Sequence, residues 1–152
     1  MKTSQICAAA VLLLPVSIAV AADPPPLREG LWDIRTQTIS NPGNMKDEGT
    51  YQLCRDHAYD KAAETLAKNT KGFTVNFQSE GGGKYSIASR GTIGGTAITA
   101  KGTAVYQGDT SVHSESHTTY SPALEGRTDE TTIQDQKYVD PCPDGMKPGD
   151  RQ

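Results

Sequence analysis

From Phe73 to Val139 this chain is almost nothing but short alternating runs broken by glycine, and that pattern leaves few folds open to it. Phe73, Val75 and Phe77 alternate with Thr74, Asn76 and Gln78; Gly81-Gly82-Gly83 then makes a turn, and Tyr85, Ile87 and Ser89 alternate on the way back. Gly94-Gly95 leads into Ala97–Tyr106, and Gly108-Asp109, a two-residue hairpin signal, leads into Val112–Tyr120. A looser loop follows around Pro122, from Ser121 to Gly126, and Thr128–Val139 forms the last run. Period-two runs at short spacing, joined by glycine turns, predict an antiparallel meander. Gly30–Thr38 adds one more strand, with Trp32, Ile34, Thr36 and Thr38 on one face. After it come a turn at Asn41-Pro42-Gly43-Asn44 and a short extended piece at Tyr51–Cys54. The expected fold is mainly β: about six strands in a curled sheet or partly closed barrel.

One helix interrupts the pattern. Asp56 can cap a helix beginning near His57, about three turns long and ended by Asn69, Thr70 and Gly72. Tyr59, Ala62, Ala63 and Leu66 would face inward, with Asp60, Lys61, Glu64 and Lys68 outside. Such a helix covers part of the apolar face of the sheet.

The first 22 residues read as a secretory signal peptide: Lys2, an apolar run from Ile6 to Val20, and small residues at Ala19-Val20-Ala21-Ala22. The run is short for a membrane span, and no second one follows. Cleavage after Ala22 leaves a proline-rich linker over 23–28 and a single β-rich domain over 29–152. The processed chain is exported and not membrane-spanning. Lys2 is the only charge removed, so the whole-chain charge of -3 becomes about -4. That balance, without basic blocks, argues against nucleic acid as a partner. Cys7 is lost with the signal peptide. Cys54 and Cys142 remain, and two cysteines in an exported chain allow one disulfide; two independent thiols are the alternative.

Leu27-Arg28-Glu29-Gly30-Leu31-Trp32-Asp33-Ile34-Arg35-Thr36, Leu53-Cys54-Arg55-Asp56, Gly83-Lys84-Tyr85-Ser86, Gly108-Asp109-Thr110-Ser111 and Tyr138-Val139-Asp140-Pro141-Cys142-Pro143 occur in this order. Together they resemble the bacterial family catalogued as domain of unknown function 3617, across essentially the whole chain from Leu27. The resemblance implies export in a Gram-negative bacterium, with the periplasm as compartment and release beyond it as the alternative. It implies no activity. Members of that family often carry four cysteines in the mature domain. The pair missing here would fall near Phe73 and near Ser89 or Gly91, on the two arms of one hairpin. Pairing Phe77 with Ile87 puts Val75 opposite Ser89 and Phe73 opposite Gly91; a register shifted by two puts Phe73 opposite Ser89. With that pair gone, the resemblance implies a Cys54–Cys142 bond.

Three local features bear on function. His113, Glu115 and His117 share one strand face at about 6.7 Å spacing. They carry the chemistry of a zinc or copper site, but two histidines four apart on a strand span about 13 Å, too far for one ion without a bulge. A solvated outer face, in line with Ser111 and Thr119, accounts for them more simply. Gly30-Leu31-Trp32 is similar to the Gly-x-Trp that opens lipocalin barrels, which hold apolar ligands; a core anchor at Trp32 is the simpler account. Asp56-His57 could serve as an acid–base pair, but the cap already occupies Asp56. No catalytic, cofactor-binding or metal-ligating residue is assigned. The expectation is a non-catalytic envelope protein that binds an unidentified partner or ligand. The alternatives are a small apolar-ligand carrier and a metal-binding protein using His113, Glu115 and His117.

Overall fold

Glycine turns at 82–83, 94–95 and 108 divide the middle of the chain into hairpins. The computed structural model describes residues 23–152; the expected signal peptide and Cys7 lie outside the described residues. The elements are β1 (Gly30–Asn41), β2 (Met45–Arg55), α1 (His57–Asn69), β3 (Phe73–Gly81), β4 (Lys84–Ile93), β5 (Thr96–Gln107), β6 (Ser111–Leu124) and β7 (Arg127–Asp140). They form one antiparallel seven-stranded sheet in the order β2-β1-β7-β6-β5-β4-β3. The meander expected from the glycine spacing is therefore present. β2 and β3 are its two edges, and α1 connects them.

The strand beyond the six expected is β2. It runs back from the short piece at Tyr51–Cys54 as far as Met45, and Met45–Thr50 is exposed throughout. With no apolar face to bury, this edge strand carries no alternation; its backbone pairing with β1, from Ser40↔Met45 to Gly30↔Arg55, makes it a strand. β6 also runs further than expected. It passes through Pro122 to Leu124, leaving only Glu125 and Gly126 as the turn. The β6–β7 register shifts between Thr119 and Leu124, and such an irregularity accommodates a proline that cannot donate to the ladder.

The register assigns one face of the sheet to the interior. Leu53, Trp32, Tyr138, Gln136, Val112, Tyr106, Ala104, Ile87 and Phe77 follow one another on that face from β2 to β3. Leu27, Trp32, Ile34, Leu53, Ala104 and Val112 form one packed cluster, with Tyr51, Tyr59, Ile87, Tyr106 and Tyr138 against it. Leu53 and Ile87 lie on strands five places apart, and the cluster runs along the face between them. β2 and β3 do not pair, so the sheet is open and not the partly closed barrel that is the other expectation. Trp32 is fully buried at its centre. Its ring meets Tyr138 edge-on at 6.2 Å, and its indole N–H donates to the Arg28 carbonyl at 2.9 Å.

The β3–β4 hairpin takes the register that places Phe73 opposite Gly91 and Val75 opposite Ser89. The Phe73 ring lies over Gly91: a Cβ there would stand 2.4 Å from the ring. An aromatic ring covering a strand glycine is a common way to fill that gap. Gly91→Val should therefore lose about 1–3 kcal/mol through displacement of the ring. The urea unfolding midpoint reads this loss; an unchanged midpoint would show that the ring moves aside freely.

Candidate functional site

The helix explains where a site can form. Asp56 caps it as expected, its carboxylate accepting from the Tyr59 N–H at 2.7 Å. The facing of the helix agrees with the expected one only at Tyr59, which packs against the core. No α1 residue is fully buried, and Leu66 is 71% exposed along with Ala62 and Ala63. Asp60 and Glu64, expected outside, are instead part-buried, and with His57, Lys61 and Ala67 they border the space beside the strap, at spacings of three and four residues. The reason is electrostatic. Arg55, at the end of β2, reaches over the core with its guanidinium mostly buried. It stacks above the Trp32 ring at 5.1 Å and donates to the Gln136 side chain at 2.9 Å. A buried guanidinium needs an anion, and Asp60 supplies it in a paired contact at 2.7 and 2.9 Å. Turning Asp60 outward would leave the guanidinium without its anion, which is strongly destabilising.

The proline segment expected as a linker lies docked beside this helix. Leu27 is buried in the core, and its carbonyl contacts the His57 ring at 2.9 Å. Arg28 pairs with Asp109 through both side chain and backbone. At the other end Asp23 meets Lys68 at 2.7 Å, and Lys68 also pairs with Glu64. Residues 23–27 thus form a strap tied to both ends of α1, with three prolines between the ties.

Strap, helix and inner sheet face line a groove of about 650 Å³ that is open to solvent on one side. Its apolar wall is Pro24–Pro26, Leu27, Phe77 and Tyr106; its charged wall is the inward stripe of α1 with Arg55. That volume is within the range of small-molecule pockets. Burial pushes the Tyr106 phenol pKa up, so the hydroxyl stays protonated across neutral pH.

Hydrogen bonds from Lys68 hold the Asp23 and Glu64 carboxyls below the usual carboxylate range, and the same hydrogen bonds, with a smaller contribution from the two charges, hold Lys68 above the usual lysine value. Lowered carboxyls contribute their tie in full above the ordinary carboxylate range and lose it as pH falls through the lowered values. The raised lysine loses its share only as pH rises through its own value. The outer end of the strap should therefore detach in acid, below about pH 4, and stay attached at neutral pH. An NMR titration should show the Asp23–Lys68 side-chain contacts disappearing in the same step as Asp23 protonation. Contacts that persist after protonation would show that the prolines alone seat the strap.

His113, Glu115 and His117 lie on the outer face and are exposed. They do not converge. The His113 ring contacts Asp135 at 2.7 Å, the His117 ring contacts Thr131 at 3.2 Å, and Glu115 stands between Thr103 and Ile133. No three His, Cys, Asp or Glu side chains among the described residues gather as a metal site would require. Cys54 and Cys142 are joined, with Cα atoms 5.6 Å apart. No described helix is long and apolar enough to cross a membrane.

Arg55, Asp60, Glu64, Phe77 and Tyr106 were not singled out as a group by sequence pattern. They come from four elements, and only the Asp60/Glu64 spacing on one helix face was available to hint at them. Comparison of the chain with protein-family models, curated proteins and solved structures finds no match.

Proposed function

We propose that this protein is a non-catalytic binding protein of the bacterial cell envelope that holds a small ligand between its proline strap, α1 and the inner face of the sheet. The groove of about 650 Å³ carries this reading. It is roomy enough for a small organic molecule, and its apolar wall faces a row of fixed charges. The export of the chain rests on the signal-peptide pattern of residues 1–22, and the envelope as its place rests on the family resemblance. A disulfide is consistent with both, since such bonds persist in oxidising compartments.

The test is a titration with N-phenyl-1-naphthylamine, an uncharged probe that fluoresces on leaving water. Binding should saturate at one probe per chain. Ala67→Trp, which fills the cavity from an exposed helix position, should weaken it at least about tenfold with little loss of stability. Absence of saturable binding, or binding indifferent to Ala67→Trp, would overturn the proposal.

A further inference from the structure

We infer that the ligand of this cavity is an uncharged, ring-containing molecule with one hydrogen-bonding oxygen, its rings against Phe77 and the proline strap and its oxygen on the Tyr106 hydroxyl. The inference rests on the binding reading above and narrows it to a chemical class.

The charged wall excludes ions first. Arg55 is engaged by Asp60 and Gln136, and Lys61 by Glu64. Lys68 is shared between Glu64 and Asp23, and the His57 ring lies against Leu27 and Glu29. The positive and negative groups of this wall are therefore already matched to one another. An anionic ligand must compete with Asp60 for the half-buried guanidinium and would leave that carboxylate unpaired. A cationic ligand does the reverse. Taking one partner from a buried pair is costly, whereas an uncharged ligand disturbs none of them.

The apolar wall then selects shape. Pro24, Pro25, Pro26, Phe77 and Tyr106 are all ring side chains. They offer flat, stiff surfaces, which fit a rigid ring system better than a flexible chain that loses rotational freedom on binding. Among the side chains of this wall, the one hydrogen-bonding group is the Tyr106 hydroxyl. The Tyr106 hydroxyl has no hydrogen bond to another described residue and is not fully buried, and Tyr106 lines the groove. A carbonyl or hydroxyl oxygen on the ligand would satisfy it.

Calorimetric titration of the protein at pH 7 with three bicyclic probes of similar size tests the class. They are 2-acetonaphthone, a neutral ketone; 2-naphthoate, an anion; and 2-naphthylmethylammonium, a cation. The ketone should bind at least about tenfold tighter than either ion. Tyr106→Phe should weaken the ketone about two- to tenfold, the range of one hydrogen bond, while leaving naphthalene itself unchanged. An ion that binds as well as the ketone overturns the inference, as does an equal loss of ketone and naphthalene in Tyr106→Phe. If no naphthalene compound binds while N-phenyl-1-naphthylamine does, the class is wrong and the site stands. If that probe also fails, both readings fall together.

Discussion

Trp32→Ala should be the most damaging single substitution in the chain, costing about 3–5 kcal/mol. The indole is fully buried, so its removal leaves a hole the size of a large side chain, lined by Tyr138, Leu53 and Ile34. Strand backbones fixed by cross-strand hydrogen bonds cannot close around such a hole. Two further losses add to it. The Arg28 carbonyl loses its indole donor, and the Arg55 guanidinium loses the ring beneath it. Domains of this size commonly have only about 5–15 kcal/mol in total, so the variant should melt roughly 10–20 °C lower or fail to fold. Trp32→Phe separates these contributions. It keeps an aromatic ring against Tyr138 but has no N–H for Arg28, and should cost about 1–3 kcal/mol. Thermal unfolding of both variants checks the order. A loss below about 1 kcal/mol for Trp32→Ala would mean that the core is organised around something else. Trp32 also supports Arg55, so whatever folded Trp32→Ala protein remains should bind N-phenyl-1-naphthylamine more weakly than Trp32→Phe.

Trp32 was legible as a core anchor because a lone tryptophan on the apolar face of an alternating strand has few other places to go. β3 through β6 were legible for a related reason: one face of each is more buried than the other, so each alternates, and glycine marks the reversals between them; β7, polar on both faces, was bounded by its turns and not by alternation. β2 was not, because an edge strand held by backbone pairing needs no pattern in its side chains. The orientation of α1 failed for a different physical reason. Apolar periodicity places Tyr59, Ala62, Ala63 and Leu66 inward, and only Tyr59 packs on the core. Here the sheet presents Arg55, and a mostly buried cation left without Asp60 would be costly, which local periodicity does not register. The groove followed from that ion pair and from the docking of the prolines, so it depends on tertiary pairing that no local run of residues encodes. The outer-face account of His113, Glu115 and His117 needed only the two-residue period, and agrees with their exposure.

Removing the disulfide should rank second among these effects. Cys54 and Cys142 are 88 residues apart in sequence, and closing a loop of that length restricts the unfolded chain by about 4–5 kcal/mol in the loop-entropy account. Cys54→Ala with Cys142→Ala should lose somewhat less, about 3–4 kcal/mol, because the folded variant can release its tail and so regain part of that freedom without unfolding the sheet. The Gln52 and Gln152 backbones exchange hydrogen bonds at 2.8 and 3.1 Å, and the Cys54 N–H donates to the Asp150 carbonyl at 3.1 Å. These bonds pair the tail with the end of β2 through an isolated antiparallel bridge, Leu53↔Arg151. Without the covalent tie they must hold it alone, against the freedom of a polar, turn-rich segment. Amide exchange at Gln52 and Cys54 should therefore rise in the double variant before the rest of the sheet loosens. Once the tail detaches, Gln52 to Cys54 becomes an open edge, and open edges pair with other chains. The double variant should accordingly form more dimers with increasing concentration, as read by analytical ultracentrifugation, while the oxidised protein does not change. Exchange and association both unchanged would show that the tail stays on β2 without the bond. Labelling of both cysteines by an alkylating reagent before any reductant is added would show that the bond is absent from the purified protein.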